Sequence, residues 1–178
     1  MKNCKRIWIA ASLGLLLSGC GRTGGETKPT GQTGGRPQAV MVRTSADVVR
    51  PGGSGAALPA GAQAELPISI SVEPGYHINA NPATFDYLIA TELTADKSEG
   101  LTFGKPIYPA AVSKTFKFAD QPLAVYEGQV QIKLPVQAAP TAAKGNHTLS
   151  LHLRVQACDE EKCFPPATLP VTPVVELK

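Results

Sequence analysis

Apolar side chains recur at every second position in several short stretches of this 178-residue chain. Between Ala64 and Val72, the residues Leu66, Ile68, Ile70 and Val72 share one parity and so project from one face of an extended strand. Val130, Ile132 and Leu134 repeat the pattern ahead of Pro135, and Leu149, Leu151, Leu153 and Val155 repeat it again. Looser apolar runs predict further strands. One passes through Val40-Met41-Val42 and Val48-Val49 and closes in a turn at Pro51-Gly52-Gly53, and another covers Phe85 to Thr94. A last one covers Leu169, Val171 and Val174-Val175, where Pro170 and Pro173 indicate a sheet edge because proline has no N–H to give to a ladder. Six or seven short strands at roughly ten-residue intervals, without an amphipathic helix among them, predict an all-β, immunoglobulin-like β-sandwich.

The 16 prolines and 17 glycines fit strands joined by turns. The length suffices for one ordinary domain and a leader. Two features separate the expected sandwich from antibody domains: the single tryptophan, Trp8, lies in the leader, and the cysteines of the domain are neighbours in sequence. Three of the seventeen basic residues, Lys2, Lys5 and Arg6, also lie there, leaving fourteen against fourteen acidic residues. With no basic cluster interleaved with aromatics after residue 20, nucleic-acid binding is not expected.

The leader itself has three parts. Residues 1–6 are basic, residues 7–17 are apolar, and Ser18-Gly19 supplies small residues before Cys20. Eleven residues span only about 16 Å as a helix, roughly half of a hydrocarbon core, so a secretion signal is expected rather than a membrane span. Leu17-Ser18-Gly19-Cys20 resembles the bacterial lipobox, which implies cleavage before Cys20 and lipidation of that residue. More than one acyl chain makes such an anchor stable. Gly21 lacks the aspartate associated with inner-membrane retention, so the outer membrane facing the periplasm is favoured. Gly21 to Pro37 is rich in glycine, lacks large apolar residues, and reads as a tether. The expected organisation is therefore a signal peptide over 1–19, a lipidated tether over 20–38 and a domain over 39–178.

Processing removes Cys4 and lipidation occupies Cys20, which leaves Cys158 and Cys163 to form a disulfide in an oxidising compartment. A hairpin turning through Asp159-Glu160-Glu161-Lys162 would set them opposite each other, with Cα atoms about 4.5–5.5 Å apart. Spacing alone suits a staple, but closing so short a loop is worth only on the order of 2 kcal/mol, and a domain of this size can stabilise itself by its core. The acidic residues between the cysteines disfavour a thiolate, with Lys162 opposing them.

The segment Gln156-Ala157-Cys158-Asp159-Glu160-Glu161-Lys162-Cys163-Phe164-Pro165-Pro166 resembles the active-site hairpin of the N-terminal periplasmic domain of the thiol:disulfide interchange protein DsbD. Pro74-Gly75-Tyr76-His77-Ile78-Asn79-Ala80-Asn81-Pro82 and Pro122-Leu123-Ala124-Val125-Tyr126-Glu127-Gly128 are similar to segments of stand-alone members of that family. The resemblance covers about residues 39–178 and implies an immunoglobulin-like domain that passes reducing equivalents by thiol–disulfide exchange to periplasmic thioredoxin-like proteins. It implies that Cys163 forms the mixed disulfides and that Cys158 resolves them. Full-length members continue into a membrane conduit, whereas no apolar run of 18 residues follows residue 20, so the expectation is either a separate membrane reductant or a lost redox role. The resemblance also implies a loop carrying an aromatic ring over the cysteines, here Phe118. The alternative is that Phe116 and Phe118 pack one strand face. Tyr76 and Tyr126 either line the exchange site or are ordinary strand-edge aromatics.

No metal site is expected, because His77, His147 and His152 lack close Cys/His ligand spacing. No nucleophile elbow suggests a hydrolase, and the expected exchange chemistry needs no cofactor. The reading in competition with exchange is a lipid-anchored envelope binding module whose disulfide is purely structural.

Overall fold

A computed structural model describes residues 42–178. The expected signal peptide, Cys20, the tether and the Val40-Met41 start of the first run lie outside the described residues. A 3-10 turn at Ser45–Asp47 leads into β1 (Val49–Gly53), β2 (Ala56–Leu58) and β3 (Gln63–Val72). Five short strands follow: β4 (His77–Asn79), β5 (Glu92–Ala95), β6 (Leu101–Phe103), β7 (Val112–Lys114) and β8 (Leu123–Tyr126). The chain continues through β9 (Gln129–Ala138), β10 (Gly145–Thr148) and β11 (Leu151–Val155). It ends with β12 (Ala157–Cys158), β13 (Ala167–Val171) and β14 (Val174–Leu177).

The strands form four small sheets, ordered β1-β3-β9-β6, β10-β14-β2, β13-β11-β5 and β12-β4-β8-β7. The architecture is the all-β sandwich that the alternation predicts. In the first sheet β3 and β9 run antiparallel, with Leu66 opposite Leu134, Ile68 opposite Ile132 and Ile70 opposite Val130. All six side chains are buried, and they share one core with Leu151, Leu153 and Val155 of β11. A one-residue slip of β3 against β9 would turn this apolar set to solvent, so burial fixes the register.

Several expectations about boundaries are corrected. Pro51-Gly52-Gly53 is not a turn but lies inside β1, pairing with Ile70, Ser69 and Ile68. β1 is an edge strand of its sheet, where a proline can be accommodated. A Cβ on Gly52 would stand 2.9 Å from Ser69 Oγ, so the glycine makes room for its cross-strand neighbour. Pro135 does not end its strand, since β9 runs on to Ala138. Pairing of β9 with β6 covers Val136 to Ala138, so Pro135 stands just past the end of that ladder.

Phe85 to Thr94 is not one strand. Only Glu92–Ala95 is extended, because the backbone before it is committed elsewhere: Leu88 N–H closes a turn on Phe85 O, and Thr91 N–H donates to Asn79 O. The expected last strand divides into β13, an edge strand carrying Pro170, and β14, which lies between β10 and β2. Short segments such as β4, β8 and β12 raise the count of extended segments well above six or seven. They are too brief to carry an alternation signal, yet they build the sheet on which the cysteines sit.

Candidate functional site: the Cys158 and Cys163 hairpin

β11 and β13 pair antiparallel from Leu151 opposite Val171 to Val155 opposite Ala167. Beyond Val155 the ascending arm leaves this sheet. β12 pairs with β4 instead, setting Ala157 opposite Ile78 and Cys158 opposite His77. Cys158 and Cys163 face each other in an antiparallel bridge and are joined by a disulfide. Their Cα atoms are 3.9 Å apart, closer than in a regular strand pair. The sequence predicts a strand directly after Cys163, but the descending arm enters none there. Pro165 and Pro166 have no N–H to donate, and regular pairing resumes only at Ala167.

The tip is set by its own polar groups. Asp159 Oδ1 accepts the backbone N–H groups of Glu161 and Lys162, both at 2.8 Å, and Asp159 N–H donates to Lys162 O at 2.9 Å. These two backbone donors hold the Asp159 carboxyl below its ordinary pKa. Phe164 N–H closes the base on Ala157 O at 2.8 Å. Ser45 braces the same base from far away in sequence. Its hydroxyl accepts from Ala157 N–H and donates to Pro165 O, each at 2.8 Å. Asn79 and Gln156 are joined at 3.2 Å and tie β4 to the ascending arm.

The two sulfurs are not equivalent. Cys158 is fully buried, 0% exposed, whereas Cys163 is partly exposed. Tyr76 is half-buried against Phe164 at a centroid distance of 5.8 Å, and Arg43 lies over its ring at 5.1 Å. Arg43 also hydrogen-bonds to the Tyr76 hydroxyl. Tyr76 therefore flanks the residue that follows Cys163. Tyr126 has another setting: it is buried, its hydroxyl receives Asn81 N–H at 3.2 Å, and it donates to Pro109 O at 3.2 Å. It anchors two loops.

A stack of three rings adjoins the buried cysteine. His77 stacks on Phe116 at 4.0 Å, and Phe116 stacks on Phe118 at 5.3 Å. Phe116 is 2% exposed and Phe118 is 37% exposed, so the outer ring covers the inner one. In the sequence Phe116 is expected only to pack a strand face and His77 is weighed only as a metal ligand, so neither stands out as a site residue. The other two histidines lie elsewhere, His147 against Ala143 O and His152 against Asp96. Sequence proximity gave no hint that His77 would sit opposite Cys158, because their pairing is long-range.

Charge around the tip is more balanced than its acidic sequence implies. Lys114 Nζ, on β7, lies 2.6 Å from Glu127 and 3.3 Å from Glu160, and this hydrogen bonding raises its pKa, Glu127 contributing most. Lys162 Nζ sits 5.8 Å above the Phe164 ring. Two cations thus flank the carboxylates of the tip. Burial pushes the His77 pKa down to about 4, with Lys114 adding to the shift, so the ring is neutral at neutral pH.

The family model described as thiol:disulfide interchange protein DsbD, N-terminal, matches residues 51–174. No curated protein sequence matches the chain. Among solved structures, the reduced DsbD N-terminal domain of Neisseria meningitidis is 20% identical, with a TM-score of 0.42, over 64% of this chain and 78% of that one. The N-terminal periplasmic domain of ScsB from Proteus mirabilis is 14% identical, with a TM-score of 0.41, over 71% of this chain and 47% of that one. A type I cohesin from Pseudobacteroides cellulosolvens is 10% identical, with a TM-score of 0.45, over 74% of this chain and 92% of that one.

Proposed function

The chain belongs to the family of the N-terminal domain of the thiol:disulfide interchange protein DsbD, and from that premise we propose that it is a periplasmic thiol–disulfide exchange domain working through Cys158 and Cys163. The observation that carries this reading is the asymmetry of the pair: the Cys163 side is open to a partner, and Cys158 is closed off behind it. An exchange pair needs one sulfur that a foreign cysteine can approach and a second that resolves the mixed disulfide from within. A staple needs no such difference.

In the reduced domain, the Cys163 thiolate attacks one sulfur of a partner's disulfide. A Cys163–partner bond forms, and the partner's other sulfur leaves as a thiolate. The Cys158 thiolate then attacks Cys163 Sγ, closing the internal disulfide and expelling the partner's first sulfur. Two electrons pass to the partner, and the two protons lost from the pair are balanced by the two its thiolates take up. The same steps in reverse reduce the domain. Thioredoxin-like periplasmic proteins are the partner class, a separate membrane reductant supplies electrons, and a lipid on Cys20 holds the domain at the membrane. No cofactor takes part. Phe118 is assigned as the cover over the pair and Tyr76 as its lining, while Tyr126 holds the loops of Asn81 and Pro109 instead.

The test is trapping in cells. Cys158→Ser should accumulate mixed disulfides through Cys163, and Cys163→Ser should yield far fewer. The reduction potential of the pair should lie between about −230 and −180 mV, against values below about −300 mV for an inert bond. Absence of adducts together with a potential below that limit would establish the structural-module reading.

A further inference from the structure

His77 has no role in the exchange steps above, yet its environment is unusual. It is 1% exposed, one face of its ring is covered by Phe116, and its Nε2 has no hydrogen-bond partner. Buried polar atoms are nearly always paired, and an orphan in one state of a protein points to a partner present in another. In β4 the residue stands directly opposite Cys158. Directly opposed residues project from the same sheet face with Cβ atoms about 4.5–5.5 Å apart. The polar change that exchange makes beside His77 is therefore on the Cys158 sulfur.

The charged groups that face His77 are Lys114 from β7, Glu127 beyond β8, and Asp159 and Glu160 from the hairpin tip. Complete burial of Cys158 opposes a thiolate at that position, and the acidic tip residues oppose it further against the two cations Lys114 and Lys162. A neutral donor offsets this without introducing a further buried charge. Burial and Lys114 keep the imidazole neutral at pH 7, so it retains a single ring proton.

We propose that His77 Nε2–H is the hydrogen-bond donor that stabilises the Cys158 thiolate whenever the Cys158–Cys163 bond is open. The inference rests on the exchange reading. When a dithiol reductant attacks Cys163 Sγ, a bond forms between the two sulfurs, the internal S–S bond breaks, and its electron pair stays on Cys158. Nε2–H donates a hydrogen bond to that thiolate and transfers no proton. The thiolate is consumed when Cys158 attacks Cys163 again, or it takes a proton from water when the pair is fully reduced. In the disulfide state the sulfur carries no charge, which accounts for the orphaned nitrogen.

The experiment uses the whole domain carrying Cys163→Ser, which leaves Cys158 as its free thiol, and follows Cys158 ionisation by its 13Cβ resonance over a pH series. Adding His77→Phe should raise the Cys158 pKa by about one unit, a tenfold lower thiolate fraction at fixed pH. His77→Gln, which keeps an N–H donor, should restore most of the difference. An unchanged Cys158 pKa in a folded His77→Phe protein overturns the proposal. If that variant does not fold, the 15N resonance of His77 Nε2 in the Cys163→Ser protein decides: it must keep its proton and shift as Cys158 ionises, and a resonance that stays fixed overturns the proposal. None of these readouts involves a partner, so failure to trap adducts sinks the exchange reading and leaves this result intact, while an unmoved pKa does the reverse.

Discussion

The hydroxyl of Ser45 accepts the backbone N–H of Ala157, 112 residues later, at 2.8 Å. The same oxygen donates to Pro165 O, so one buried side chain holds both arms of the cysteine hairpin at its base. Removing it leaves the Ala157 N–H without a partner in a dry site, while Pro165 O keeps the Ser45 backbone N–H at 3.0 Å. Ser45→Ala should therefore cost about 1–3 kcal/mol in urea unfolding. Amide exchange at Ala157 should also quicken. Unchanged stability and exchange would mean that the hairpin carries its own shape.

The aromatic stack separates two roles by burial. Phe116→Ala should cost about 3–5 kcal/mol, as for a core ring, while Phe118→Ala should cost far less because that ring is already 37% exposed. Under the assignment of Phe118 as a cover, Phe118→Ala should in addition speed alkylation of reduced Cys163 by a small reagent. A large stability loss with unchanged alkylation would sink that assignment.

His77 should make stability depend on pH in a defined window. Burial lowers its pKa from 6.5 to about 4, so between these values the unfolded chain binds a proton that the folded chain does not. Stability attributable to this residue is complete above about 6.5 and declines as pH falls toward 4, by about 3 kcal/mol in all. His77→Phe should flatten the profile across that window in equilibrium unfolding at several pH values. A profile of the same slope would place the dependence on another group.

The amino terminus offers a test that needs no knowledge of the fold. Mass spectrometry of the membrane-extracted protein should find Cys20 as the first residue, carrying diacylglycerol and an acylated amine. Cys20→Ala should release the domain from the membrane fraction. An unmodified Cys20 would remove the anchor and the outer-membrane placement together.

What was legible in the sequence is what depends on neighbours along the chain. Alternation at Leu66, Ile68 and Ile70, and at Val130, Ile132 and Leu134, exposes the inner faces of β3 and β9 because a strand's side chains alternate whatever it packs against. The cysteine pair was legible for the same reason, since only four residues lie between its members. Pro51-Gly52-Gly53 and Pro135 misled because a proline is excluded from a strand only where its missing N–H would face a partner, and which positions face a partner depends on strands far away in sequence. Tertiary structure alone brought His77 of β4 opposite Cys158, Lys114 of β7 to Glu160, and Ser45 under the hairpin. It also made Cys158 buried and left Cys163 partly open. Burial, field and cross-strand partners are properties of what surrounds a side chain, and here the surroundings come from segments that the chain order keeps apart.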